Sequence, residues 1–199
     1  RRQRQMCIRD RLFGVLEYIV QNADKLKLDV SRLAVAGDSV GGNMAAAMTL
    51  AAKEKGAPKI CFQLLLYPVT DASLSTESYQ IYADGPWLTK KAMIWFWQAY
   101  APDEKDRENI MASPLNASTE QLKGLPPALI ITDENDVLRD EGEAYARKLN
   151  AAGVDVTAIR FNGTIHDFMM LNPIADTMPT RTAVLLAVSK LREVLGVRA

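Results

Sequence analysis

An α/β fold, a mostly parallel sheet with flanking helices, is what this sequence predicts, on three observations. Stretches with apolar residues at helical spacing alternate with short apolar runs. One run, Lys59 to Tyr67 (KICFQLLLY), is nearly continuous rather than alternating, as expected of a strand covered on both faces within a parallel sheet. And Val35 to Asn43 (VAGDSVGGN) reads as strand, sharp turn and helix with a serine at the corner.

Taken in order, Arg1 to Arg11 carries five arginines with no apolar period. This stretch is expected to be extraneous, adapter-like sequence outside the fold. From Leu12 the texture changes. Leu12, Val15, Leu16, Ile19, Val20 and Leu26 recur at helical spacing, which predicts one amphipathic helix. Asp29 to Ser31 turns the chain into a strand at Leu33 to Ala36, and Asn43 to Lys53 is a helix that ends near Gly56-Ala57-Pro58. After the Lys59 to Tyr67 strand, residues 71–124 form an interval too long for a plain connection, expected to be a helical insertion. Within it, Met93, Phe96, Trp97 and Tyr100 share one helical stripe, read mainly as packing and otherwise as a pocket wall. Ala128 to Thr132 and Asp155 to Phe161 are the remaining strands, separated by a helix over Asp140 to Ala152 that closes at Gly153. Thr177 to Leu195 completes the chain as a helix with Val184, Leu185, Val188, Leu191 and Leu195 on its apolar stripe.

Composition narrows the function. The chain is 48% hydrophobic and 24% charged over 199 residues, enough for one domain with a sizeable core. Its 24 basic and 24 acidic residues balance, so no overall field draws it to nucleic acid or anionic lipid. No apolar run is long enough for a membrane span and no signal-peptide core is present, which suits a cytoplasmic protein acting on a small neutral molecule. Cys7 and Cys61 are too few for a disulfide framework, and Cys61 in its apolar strand reads as a buried free thiol. With a single histidine and no Cys/His cluster, neither a metal nor a cofactor is expected.

The chemistry gathers around Ser39. Gly37, Asp38, Gly41 and Gly42 surround it in the G-x-S-x-G pattern, where a tight strand-to-helix turn lifts the hydroxyl at the carboxyl edge of a sheet. The flanking glycines are required because bulkier residues would clash. A serine hydroxyl is a weak nucleophile and needs a base, itself oriented by a carboxylate. His166, the sole histidine, lies just past the last predicted strand, where a loop could bring it over Ser39. For the acid, Asp133, Glu134 and Asp136 all follow a strand, and spacing leaves Asp133 and Asp136 nearly even. Asp140 and Glu141 read as structural, in the first turn of the next helix where negative charge suits the dipole. The order serine, acid, histidine is that of α/β-hydrolases.

From GDSVGGN, LLLYPVTD, SPLNAS, LPPALIITDENDVLRDEGEAYARKL and GTIHDF, the chain resembles the hormone-sensitive-lipase-like family of α/β-hydrolase esterases, from Leu12 to its end. The resemblance implies a carboxylesterase or lipase-like enzyme that cleaves short-chain acyl esters through a Ser-His-Asp triad and an acyl-serine intermediate. Ser39 is then the nucleophile and His166 the base, and Asp136 matches the aspartate of the family's D-P-L-R-D-E-G motif, which breaks the tie. Val40, where the family has Ala, would offer its backbone N–H to the oxyanion. Val137 replaces the usual Pro, which is expected to loosen that loop slightly. The family's H-G-G-G loop is not found among the 38 residues before Ser39. Residues 12–199 are therefore expected to be the carboxyl-terminal part of an α/β-hydrolase fold, four strands of eight, with the strand before Ser39 an unpaired edge. The family also implies a homodimer through the last strand. The rival expectations are a catalytically impaired fragment and a non-enzymatic protein that holds a small ligand.

Overall fold

The computed structural model describes residues 3–197, with side-chain surroundings described from residue 8. Helix α1 (Gln3–Gln21) is followed by one-turn α2 (Ala23–Leu26) and a 3-10 turn at Val30–Arg32, capped where the Asp29 carboxylate accepts the Ser31 N–H. The expected single helix over 12–26 is thus broken at Asn22. The arginine-rich segment is helical from Gln3 onward with no boundary at Leu12. Asp10 and Arg11 face solvent, while Phe13 and Leu16 are buried against Ala47, Met48 and Ala52. Val15, expected on the buried stripe, is exposed.

Four parallel strands, β1 (Leu33–Asp38), β2 (Ile60–Leu66), β3 (Ala128–Asn135) and β4 (Val156–Ile165), lie side by side in chain order. Among the described residues β1 and β4 are the edges. Helix α3 (Val40–Lys55) connects β1 to β2 and closes on Gly56, whose φ of 73° suits a residue without a β-carbon. Between β2 and β3 come α4 (Glu77–Ile81), α5 (Lys90–Tyr100), α6 (Glu104–Arg107) and α7 (Thr119–Leu122), with a capping box between Ser118 and Gln121 starting the last. Helix α8 (Arg139–Ala151) joins β3 to β4, and α9 (Met178–Val194) ends the fold.

Strand alternation divides the core into two layers. Leu65, Ala128 and Ile130 meet Ala45, Ala46 and Leu50 of α3 and Tyr145 and Leu149 of α8. On the opposite face, Phe62, Leu64, Leu129 and Ile131 meet Phe168 and the α9 residues Ala183 and Ala187. This corrects the expected α9 stripe in part: Val184, Leu185 and Val188 are exposed, whereas Ala183 and Ala187 are buried and Leu186, Leu191 and Val194 pack beside them. Cys61 carries a free thiol and is half-buried.

Candidate active site

Ser39 sits at the bend between β1 and α3 with φ 50° and ψ −118°, a conformation L-residues rarely adopt. The bend is held from three sides. Ser39 N–H donates to Leu66 O (2.9 Å), and Ser39 O accepts from Asn43 N (3.2 Å) and Val69 N (3.2 Å). The buried Asn43 amide donates to Val69 O (2.9 Å) and Ala112 O (2.7 Å), tying the first turn of α3 to the loop after β2. A β-carbon on Gly37 would lie 2.2 Å from Gly41 C and O, and one on Gly42 would lie 2.8 Å from Pro68 Cβ. One on Gly41 itself would find ordinary contact, 3.5 Å from Asp38 Oδ1. Of the two glycines flanking Ser39, Gly37 is therefore the one that cannot be bulkier, and it is the Gly41 backbone that forbids it.

The carboxyl ends of β3 and β4 supply the other groups. Asp136, buried just past β3, accepts the Leu138 N–H at 3.0 Å with Oδ1 and faces His166 Nδ1 at 2.8 Å with Oδ2. His166 follows β4 directly and is also buried, and its Nε2 lies 3.0 Å from Ser39 Oγ. A carboxylate can only accept, so Nδ1 carries the proton and Nε2 is free to accept from the serine hydroxyl. Burial pulls the His166 pKa down, but Asp136, Asp167 and Asp38 together outweigh it and raise the pKa above 6.5. The Tyr67 ring packs edge-on against the imidazole, 5.0 Å between centroids. Of the two near-even acids, then, Asp136 is the one in hydrogen-bond contact with His166.

The loop that carries Asp136 is well anchored. Val137, expected to loosen it, is fully buried against the α4–α5 layer, and its carbonyl accepts Ser78 Oγ–H at 2.7 Å. Asp140 accepts the Ser78 N–H at 2.7 Å. Glu141, read from sequence as a helix-dipole partner, is instead fully buried and accepts the N–H groups of Thr70 (2.6 Å) and Asp71 (3.1 Å). It clamps the loop after β2, and sequence carries no signal for a contact so distant along the chain.

Ser39 and His166 open onto a cavity of about 670 Å³, walled by Val69, Trp87, Leu88, Met93, Phe96 and Trp97. The α5 stripe therefore both packs and lines: Met93 and Trp97 are buried, and Phe96 is half exposed at the cavity. Ile8 of α1 also reaches it. At the mouth, Asp167 (φ 66°) accepts the Trp87 indole N–H at 3.1 Å with Oδ2, while Oδ1 lies 3.4 Å from His166 Nε2. Asp167 was not singled out by sequence, since an acid beside a histidine carries no periodicity of its own. Val40, the first residue of α3, borders the cavity, and backbone N–H groups of a first helical turn lack intrahelical partners. Asp133, Asp136 and His166 bring donor atoms within 4.8 Å of one another, all buried, with Asp136 and His166 already paired. No described helix is long and apolar enough to cross a membrane.

Comparisons agree with this architecture. The sequence pattern of the alpha/beta hydrolase fold matches residues 7–170. A thermostable esterase from Pseudomonas putida ECU1011, known from its crystal structure, is 55% identical with a TM-score of 0.92, over 94% of this chain and 59% of that one. An ethyl acetate hydrolase of Pseudomonas putida is 41% identical over 162 residues, 80% of this chain and 50% of the relative. The carboxylesterase NlhH of Mycobacterium tuberculosis H37Rv shows the same identity and coverage. The chain thus spans about half the length of these curated relatives.

Proposed function

The chain belongs to the alpha/beta hydrolase fold family, and from that premise we propose that it carries the catalytic residues of a carboxylesterase acting on short-chain acyl esters. One observation carries the reading: Ser39 Oγ, His166 and Asp136 form an unbroken chain of hydrogen-bond contacts, 3.0 and 2.8 Å, at the floor of an apolar cavity. His166 Nε2 takes the Ser39 proton as Oγ attacks the ester carbonyl, and Asp136 stabilises the imidazolium that results. The Val40 N–H donates to the oxyanion. The alcohol leaves with the proton from His166. Water, deprotonated by the same nitrogen, then releases the acid from acyl-Ser39.

Apolar walls suit an acyl group, and one relative is named for the short-chain ester ethyl acetate. A purely ligand-holding protein would need none of the three polar groups in register, so that alternative gains nothing from the geometry. The protein expressed from its complete coding sequence is expected to show an acyl-enzyme burst with 4-nitrophenyl acetate. A fluorophosphonate should label Ser39, and Ser39→Ala should abolish both signals. Absence of burst and label in well-folded wild-type protein rejects the proposal.

A further inference from the structure

Beneath the imidazole lies a carboxyl group that the mechanism does not use. Asp133, on β3, is fully buried, and among the described residues no group donates a hydrogen bond to either of its carboxylate oxygens. It stands beside Asp136 and His166, and a register shift between Asp133 and Asn135 marks where the strand departs from regular pairing with β4. The titratable groups that act on this spot come from every neighbouring strand end. They are Asp136 after β3, His166 and Asp167 after β4, the Tyr67 hydroxyl after β2, itself buried without a partner, and Asp38 at the end of β1 acting on Tyr67 and His166. Among the described residues, none of these groups is a basic side chain other than the imidazole. An ionised carboxylate buried without a donor, next to a second carboxylate that must stay charged, is the costliest arrangement such a site could hold.

We propose that Asp133 is a positioning residue for the Ser39–His166–Asp136 chain: a neutral carboxylic acid whose O–H donates to the Asp136 carboxylate and so limits how tightly Asp136 holds the imidazolium. Burial, then the charge of Asp136, raise its carboxyl well above the usual carboxylate range, which favours the protonated form. A donor on Asp136 draws off part of the negative charge that His166 feels. Without that donor His166 would be a stronger base but a more reluctant acid, and it must act as an acid when the alcohol leaves. This role rests on the proposed esterase reading, yet its effect on His166 is measurable without turnover.

The test compares Asp133→Asn, which keeps a neutral donor of the same shape, with Asp133→Ala, which removes it. His166 is the sole histidine of these 199 residues, so ¹⁵N-histidine labelling of the chain, with a His166→Asn reference, reports its midpoint directly. The acid limb of kcat/KM in the complete protein is the parallel readout. Asp133→Asn is expected to keep the midpoint within about 0.3 pH unit, while Asp133→Ala should raise it by roughly 0.5 to 1. Turnover in Asp133→Ala should fall about tenfold with KM unchanged, as for other supporting hydrogen bonds. If both variants lower the midpoint, Asp133 is a charged group in the wild type and the proposal is wrong. If neither moves it, with or without loss of thermal stability, the residue only packs and the proposal is equally wrong. Missing esterase activity with the expected midpoints would reject the proposed function alone.

Discussion

Replacing Gly37 by alanine should disable the site, and the size of the effect can be worked from the bend. The added β-carbon would lie 2.2 Å from Gly41 C and O and 2.7 Å from Gly42 N, against 3.4–4 Å for ordinary contact. The bend must therefore open by about 1.2 Å. Every atom in the way is backbone, so no rotamer change relieves the overlap. That backbone begins α3 and is pinned through Ser39 to Leu66 and Val69. Moving Ser39 Oγ by such a distance relative to His166 costs about 10²-fold in turnover. Overpacking costs about 1–3 kcal/mol in stability. Gly41→Ala is the control, because its β-carbon meets nothing nearer than 3.5 Å. It should leave the fold intact and, inside a helix, add about 0.5–1 kcal/mol. Hydrolysis of 4-nitrophenyl acetate, the rate of fluorophosphonate labelling and thermal melts measure all three effects. A Gly37→Ala protein within threefold of wild type, or a Gly41→Ala protein damaged as badly as Gly37→Ala, would refute the steric argument.

Two further outcomes are expected. At position 39 glycine should be more stable than alanine by about 1 kcal/mol, reversing their usual helix-linked order, because only glycine relaxes at φ 50°; equal melting temperatures for Ser39→Gly and Ser39→Ala would show that the bend is unstrained. Asp167→Asn should lower the acid-limb midpoint of kcat/KM, since Asp167 is among the charges that raise His166 against its burial. The linked stability has a fixed sign: a histidine with a raised folded-state pKa stabilises fully below its unfolded value and loses that contribution as pH rises through the raised one. The melting-temperature gap between wild type and Asp167→Asn should therefore close on going from pH 5 to pH 9. A gap that widens over that range contradicts the assignment.

How much of this was legible in the sequence differs from residue to residue. The bend at Ser39 was visible because its glycines, strand and helix are contiguous, and His166 because the chain has no second histidine. The choice between Asp133 and Asp136 was not. Asp133 lies near the end of β3 and Asp136 just past it, and only the folded path of that turn brings the second to His166 Nδ1. Periodicity set the α9 stripe partly off because it weighs bulk, whereas the most buried side chains of that helix include Ala183 and Ala187, with Leu191 of the expected stripe beside them. It also passed over α1 before Leu12, where Asp10 and Arg11 face solvent on a helix that still offers Ile8 to the cavity. Glu141 escaped for a simpler reason: its partners Thr70 and Asp71 are about 70 residues away along the chain.

Strand order has a consequence for how the protein reaches this state. Ser39 belongs to the unit β1–α3–β2, whereas Asp136 and His166 belong to β3–α8–β4, and residues 67–127 separate the two. Each unit closes through a single helix, but joining β2 to β3 closes the longest loop in the sheet, the slowest kind of contact to make. Ser39 and His166 are thus strangers until the two halves dock. During refolding Ser39 should gain its reactivity after the helices and strands have formed, which makes the chemistry of one hydroxyl a clock for the completion of the sheet.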